Sequence, residues 1–216
     1  MEMNAKKLIE RSRNIRDNLK INCDFDFNRI YVNLDIIKPF IGNGNNKLII
    51  LGQDPTIKNE KSRKNVEYTL NLDKKNSLKT YIERICIGLG ITIENVYATN
   101  LFKYFYTIPP AQTMDVLYAH LQPNLELLKE EIFEFKNIPI ITLGEPVLQL
   151  LTDPKAKVRE YWDYNPNTGA SNGNFSYSIA SENKLSRDFY PFPHQPSIRK
   201  KFYNDTFDKY LKIIKV

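Results

Sequence analysis

Three short apolar runs constrain this chain more than anything else in it: LIILG at 48–52, VYATN at 96–100 and IPIITLG at 138–144. Each is apolar on both faces and stops on a glycine or a polar residue. Runs of that kind read as strands buried on both sides, the hallmark of parallel sheets sheathed by helices. The intervening segments have helical spacing. SLKTYIERICIGLG follows the first run, with Ser77 as its expected cap. TMDVLYAHLQPNLELLKEEIFEFK follows the second and is expected to be kinked or interrupted at Pro123. EPVLQLL follows the third, with proline in its first turn.

The rest of the chain completes the pattern. A helix is expected at about residues 4–20, VEYTLNL as a strand or extended segment, RDFYPFPHQPS as a last extended segment, and IRKKFYNDTFDKYLKIIKV as a closing amphipathic helix. Residues 153–185, rich in Asn, Ser and Gly, read as long loops around a short strand at 175–180. Strands alternating with helices predict an α/β fold, a three-layer α/β/α sandwich with a mainly parallel central sheet of about four strands.

A chain of 216 residues can bury one sizeable core, so a single domain spanning 1–216 is expected, with a helical extension at 1–46 and a loop-rich insertion at 153–185. No apolar run approaches the roughly 20 residues needed to cross a bilayer. The N-terminal segment MEMNAKKLIERSRNIRDNLK has no apolar signal core, so a cytoplasmic protein is expected. Cys23 and Cys86 are far apart and unpaired by motif, so they read as free thiols, and no metal site is expected. The net charge of +6 suits a polyanionic partner, but its distribution says more. Lys58, Lys61, Arg63 and Lys64 cluster after the first run, and Arg199, Lys200 and Lys201 near the C-terminus. Either cluster reads as a solvated face or as a phosphate contact.

In open parallel sheets ligands bind beyond the carboxyl ends of the strands. Asp54, Asn100 and His194 each stand at such an end, so one crevice can hold a carboxylate, an amide and an imidazole. Singly, each has a plainer explanation: a turn or cap at Asp54, an Asx turn at Asn100, a surface histidine at His194.

At these positions the chain resembles the uracil-DNA glycosylase superfamily. GQDPT is similar to its water-activating motif, VYATNLFKYF to the strand with its base-reading asparagine, in the form with a lysine three residues on, here Lys103. IPIITLGEPVLQLL and PHQPSIRKKFY resemble its third strand with following helix and its histidine loop. The resemblance runs in order from about Lys47 to the C-terminus, with 153–185 unmatched. It implies that Asp54 polarises a water and stabilises a cationic sugar, that Gly52 and Gln53 shape the pocket, that Asn100 bonds the base edge and that His194 bonds the pyrimidine O2. Tyr68 falls near the place of the stacking aromatic, although a core tyrosine is the plainer alternative. Ile198 falls where the family has an apolar wedge, with Ser197, Arg199, Lys200 and Lys201 around it facing DNA.

Three departures matter. Thr56 replaces a tyrosine that crowds the C5 edge of the pyrimidine, Ile57 replaces a histidine, and Gln195 stands where a proline is usual. The two cysteines are too few for the four ligands of cluster-bearing relatives. The resemblance therefore implies a monofunctional, monomeric DNA glycosylase acting without cofactor or metal on uracil or a C5-substituted pyrimidine. Its rivals are a defence enzyme dedicated to bulky modified pyrimidines of foreign DNA and a noncatalytic DNA-binding member.

Overall fold

The three apolar runs pair side by side and parallel, as strands buried on both faces are expected to. The computed structural model describes residues 4–22, 29–109, 112 and 114–216, and Cys23 lies outside them. In chain order the elements are α1 (Ala5–Asn22), β1 (Phe40–Ile41), β2 (Leu48–Gly52), α2 (Glu60–Arg63), α3 (Ser77–Gly88), β3 (Val96–Asn100), α4 (Met114–Ile132) and β4 (Ile140–Leu143). They continue with α5 (Glu145–Leu151), α6 (Val158–Tyr161), the two-residue strands β5 (Tyr164–Asn165) and β6 (Ala170–Ser171), β7 (Tyr190–Phe192) and α7 (Lys201–Leu211).

The central sheet has five strands in the order β1-β3-β2-β4-β7. Strands β3, β2, β4 and β7 are mutually parallel, and β1 adds an antiparallel edge to the four expected. Every residue of β2, β3 and β4 is buried, as strands covered on both faces must be. Helix α1 packs on α4 and α3 on α7. Tyr97 and Thr99 of β3 turn to one face, where both hydroxyls donate to Glu131 of α4 at 2.8 and 2.7 Å.

Several local expectations change. The cap of α3 is Asn76, whose carboxamide oxygen accepts from the Lys79 N–H at 2.8 Å, and Ser77 is the first helical residue. Helix α4 runs on through Pro123. One turn of helix there is reinforced by the Asn124 carboxamide, which donates to the His120 carbonyl at 2.8 Å. VEYTLNL does not form a strand. It makes one bridge, Tyr68 with Lys38, and then a 3-10 turn over Thr69–Asn71. Leu70 and Asn71 adopt left-handed backbone, φ 57° and 55°, which the strand reading could not anticipate.

The insertion at 153–185 is better anchored than its composition suggests. Residues 175–180 contribute only a bridge between Ser178 and Phe189 rather than a strand, and the ordered pieces are α6 and the β5–β6 hairpin. Trp162 fixes the segment. Fully buried, it stacks on Tyr210 at 4.2 Å between centroids, and its indole N–H donates to the Pro191 carbonyl at 2.8 Å.

Candidate active site

From β2 the chain crosses to β3 on one side, and from β4 to β7 on the other, so the switch in direction falls between β2 and β4. A crevice must open there, beyond the carboxyl ends of the strands. It is a cavity of about 600 Å³ whose walls include Gly52, Gln53, Asp54, Pro55 and Thr56 after β2, Gly144 and Pro146 after β4, and His194 after β7.

Asp54 is partly buried in this wall. Its Oδ1 accepts from the Gln53 side-chain amide at 2.8 Å and its Oδ2 from the Thr56 N–H at 2.8 Å. Burial pushes its pKa up to about 6, against the opposing pull of the Thr56 and Gln53 hydrogen bonds and the positive charge of Arg63. Near neutral pH the group is an anion held in an environment that does not favour anions. Such a charge is available to stabilise a cation that develops beside it.

His194 occupies the opposite flank, beside Gly144, which takes a left-handed φ of 92°. The histidine loop is tied down by its own backbone, since the His194 carbonyl accepts from the Ser197 N–H at 2.8 Å. The Tyr81 hydroxyl donates to the Pro193 carbonyl at 3.1 Å and secures the residue before it. Desolvation lowers the His194 pKa, which favours the neutral ring with its one N–H donor.

Asn100 does not line the cavity but lies beneath its floor. It is the register partner of Gly52, and its Oδ1 sits where a β-carbon on residue 52 would be. The side chain is buried, with neither carboxamide atom hydrogen-bonded. An unpartnered buried amide costs about 1–3 kcal/mol, so a polar ligand above Gly52 would relieve a standing penalty. Its backbone is held from below. The Lys103 ammonium donates to the Asn100 carbonyl at 2.7 Å and pairs with Glu131 at 2.7 Å, both ends buried.

Tyr68 is not part of this wall. It stands half-buried with the Lys38 ammonium 5.6 Å above its ring. The left-handed turn carries Leu70 inward instead, and Leu70 with Leu78 forms the apolar side of the cavity. Ile198 is only 6% exposed and belongs to the core, so in this conformation it is no protruding wedge. Ser197 is half-buried in the same 3-10 turn. Arg199, Lys200 and Lys201 are exposed, and Lys201 pairs with Asp205. None of residues 153–185 lines the cavity, so the insertion supplies it no polar contact.

Arg63 was hidden in the basic run. Unlike Lys58, Lys61 and Lys64, which are exposed, it is 2% exposed. Its guanidinium donates to the carbonyls of Ile57, Tyr106 and Thr107 at 2.8, 3.0 and 3.1 Å and lies 5.0 Å over the Tyr31 ring. The Thr56 hydroxyl makes a parallel tie by accepting from the Tyr106 N–H at 2.7 Å. Together they clasp the Asp54 loop to the segment that follows β3. No spacing in the sequence separates this arginine from its solvated neighbours, whereas Gly144 was findable as the end of a third apolar run at the same edge.

Among the described residues no group of three His, Cys, Asp or Glu is placed to hold a metal ion, and no helix is long and apolar enough to cross a membrane. Residues 39–215 match the family model described as the uracil DNA glycosylase superfamily. A comparison with curated proteins found no match.

Proposed function

Because the chain belongs to the uracil-DNA glycosylase superfamily, we propose that it hydrolyses the N-glycosidic bond of uracil or a C5-substituted pyrimidine in DNA, leaving an abasic site. The observation that carries this reading is the Asp54 carboxylate, oriented by Gln53 and Thr56 in a cavity that His194 also lines. A base must leave the stack to reach such a cavity, and one of about 600 Å³ has ample room for a pyrimidine.

The chemistry follows from the charges. As the C1′–N1 bond breaks, positive charge gathers on the sugar and negative charge on the base. Asp54 stabilises the first and orients the attacking water, while the neutral His194 ring donates to the pyrimidine O2 as it becomes anionic. Water oxygen bonds to C1′ as the C1′–N1 bond breaks, one water proton ends on the departing base, and the other stays on that oxygen as the C1′ hydroxyl. Asn100, unpaired under Gly52, bonds the base edge once Leu70 gives way. Exposed Arg199 and Lys200 contact phosphates, and Lys201 beside them is already paired with Asp205.

Thr56 favours a substrate with a group on C5, since its side chain is short and turned to Tyr106 rather than across the cavity. That choice of substrate suits a defence enzyme against modified foreign DNA as well as a repair enzyme. The test is to incubate the protein with oligonucleotides carrying uracil, thymine mismatches or modified cytosines and to score alkali-labile sites. Release of no base from any of them, by a protein that binds DNA, sinks the enzymatic reading.

A further inference from the structure

Beside the cavity that holds Asp54 lies a larger one of about 1040 Å³, and Ile57, Val66 and Asn71 line both. The larger one is a groove bounded by α1, the segment before β1 and the loop that Arg63 clasps. We propose that this groove receives a neutral, hydroxyl-rich substituent carried on C5 of the extruded pyrimidine, so that the preferred substrate is a sugar-bearing base rather than plain uracil. The inference rests on the glycosylase reading above and names the substrate class of that same site.

Orientation comes from the sheet. His194 follows β7, on the β4 side of Asp54, whereas Thr56 is tied to Tyr106, on the β3 side. Around a pyrimidine ring, C2 and its oxygen flank N1 on one side and C6 and C5 on the other. With N1 held near Asp54 and O2 turned to the donor on His194, C5 must point toward Thr56 and Ile57. A group on C5 then passes Ile57 and Val66, and beyond them is the groove.

The lining selects the chemistry. Of the cations there, Lys38 already pairs with Glu67 at 2.8 Å, Arg63 is taken up by three carbonyls, and Lys74 donates to the Asn65 carbonyl. With the Lys38–Glu67 pair set aside, Asp35, Arg13 and Lys64 leave charges of both signs around the groove. The carboxamides of Asn33, Asn65 and Asn71 complete the wall. Hydroxyl groups both donate and accept, so a polyol can use amides, a carboxylate and ammonium groups at once.

The test uses the full chain and synthetic oligonucleotides containing uracil, 5-carboxyuracil or 5-(glucosyloxymethyl)uracil, together with the corresponding cytosines. The glucosylated base should be released with a kcat/KM at least about tenfold above its unsubstituted counterpart. Asn33→Trp and Asn65→Trp, each placing a ring in the groove, should lower that ratio by about tenfold or more. Binding of oligonucleotides carrying the noncleavable 2′-fluoroarabino forms is measured in parallel and should show the same order. Preference for unsubstituted or carboxylated bases, or a ratio the tryptophans leave unmoved, overturns the groove while leaving the glycosylase intact. Tight, tryptophan-sensitive binding of the glucosylated form with no base released supports the groove and overturns catalysis. Neither release nor preferential binding overturns both.

Discussion

Gly52 and Asn100 face each other across two parallel strands, and the Asn100 carboxamide fills the space that a β-carbon on Gly52 would need. Gly52→Ala should therefore push Asn100, and Leu70 on its other side, out of place. Overpacking of this kind costs about 1–3 kcal/mol. Base release should fall by more than the stability loss accounts for, by about 100-fold in kcat/KM, because misplacement of about 1 Å has that effect on a preorganised site. A thermal melt and single-turnover kinetics on the same variant check it, and near-normal turnover would exclude Asn100 from the reaction.

Asp54→Asn should separate turnover from stability. An acid whose folded pKa is raised, here from 3.8 to about 6, binds its proton more tightly in the folded state. The fold thus loses stability as pH rises from about 4 to about 6, and above that it carries the whole penalty, on the order of 3 kcal/mol. The variant should melt a few degrees higher than wild type at pH 7.5, with the gap narrowing toward pH 4. Excision should nearly vanish while DNA affinity holds or improves, since the carboxylate repels phosphates in the ground state.

For the wild-type protein the same titration should set an acid limb, with kcat/KM falling as pH drops through about 6. A profile flat from pH 7 to pH 5 would mean that the ionised Asp54 is not required.

Arg63→Met should destabilise the protein by about 3 kcal/mol, because it removes a buried guanidinium from three carbonyls, strands the buried one of Tyr106 and frees the Asp54 loop. Arg63→Lys keeps the charge but cannot span three acceptors with one nitrogen, so it should recover only part of the loss. Denaturant melts give the energies. If lysine restored everything, charge rather than the forked geometry would be the clasp.

Replacing Arg199, Lys200 and Lys201 together by alanine should weaken DNA binding evenly across sequences. Arg199 and Lys200 make no ion pair with a described residue, whereas Lys201 already pairs with Asp205. The slope of log affinity against log salt should drop by about two rather than three units. An unchanged slope would return these side chains to bulk solvent.

The strands and their shared edge were legible because a doubly buried strand has to be written as an unbroken apolar run, and because parallel strands place their ends together. LIILG, VYATN and IPIITLG thus mark the positions of Asp54, Asn100 and the Gly144 end of the cavity rim. What stayed hidden depended on backbone torsions and burial that composition does not encode. Two consecutive left-handed residues exchanged Tyr68 for Leu70 at the wall, and a 3-10 turn buried Ile198. Arg63 looked like its neighbours until its carbonyl partners, drawn from segments more than forty residues apart in sequence, were seen around it.

Trp162 is the chain's one tryptophan, fully buried between the insertion and α7 and absent from both cavity walls. Its fluorescence is accordingly a built-in gauge of whether the insertion and the last helix are seated. The emission should shift red and lose its protection from acrylamide when α7 detaches. It should hardly change when DNA fills the cavity. The protein thus carries an optical control that separates a variant that cannot act from one that has not folded.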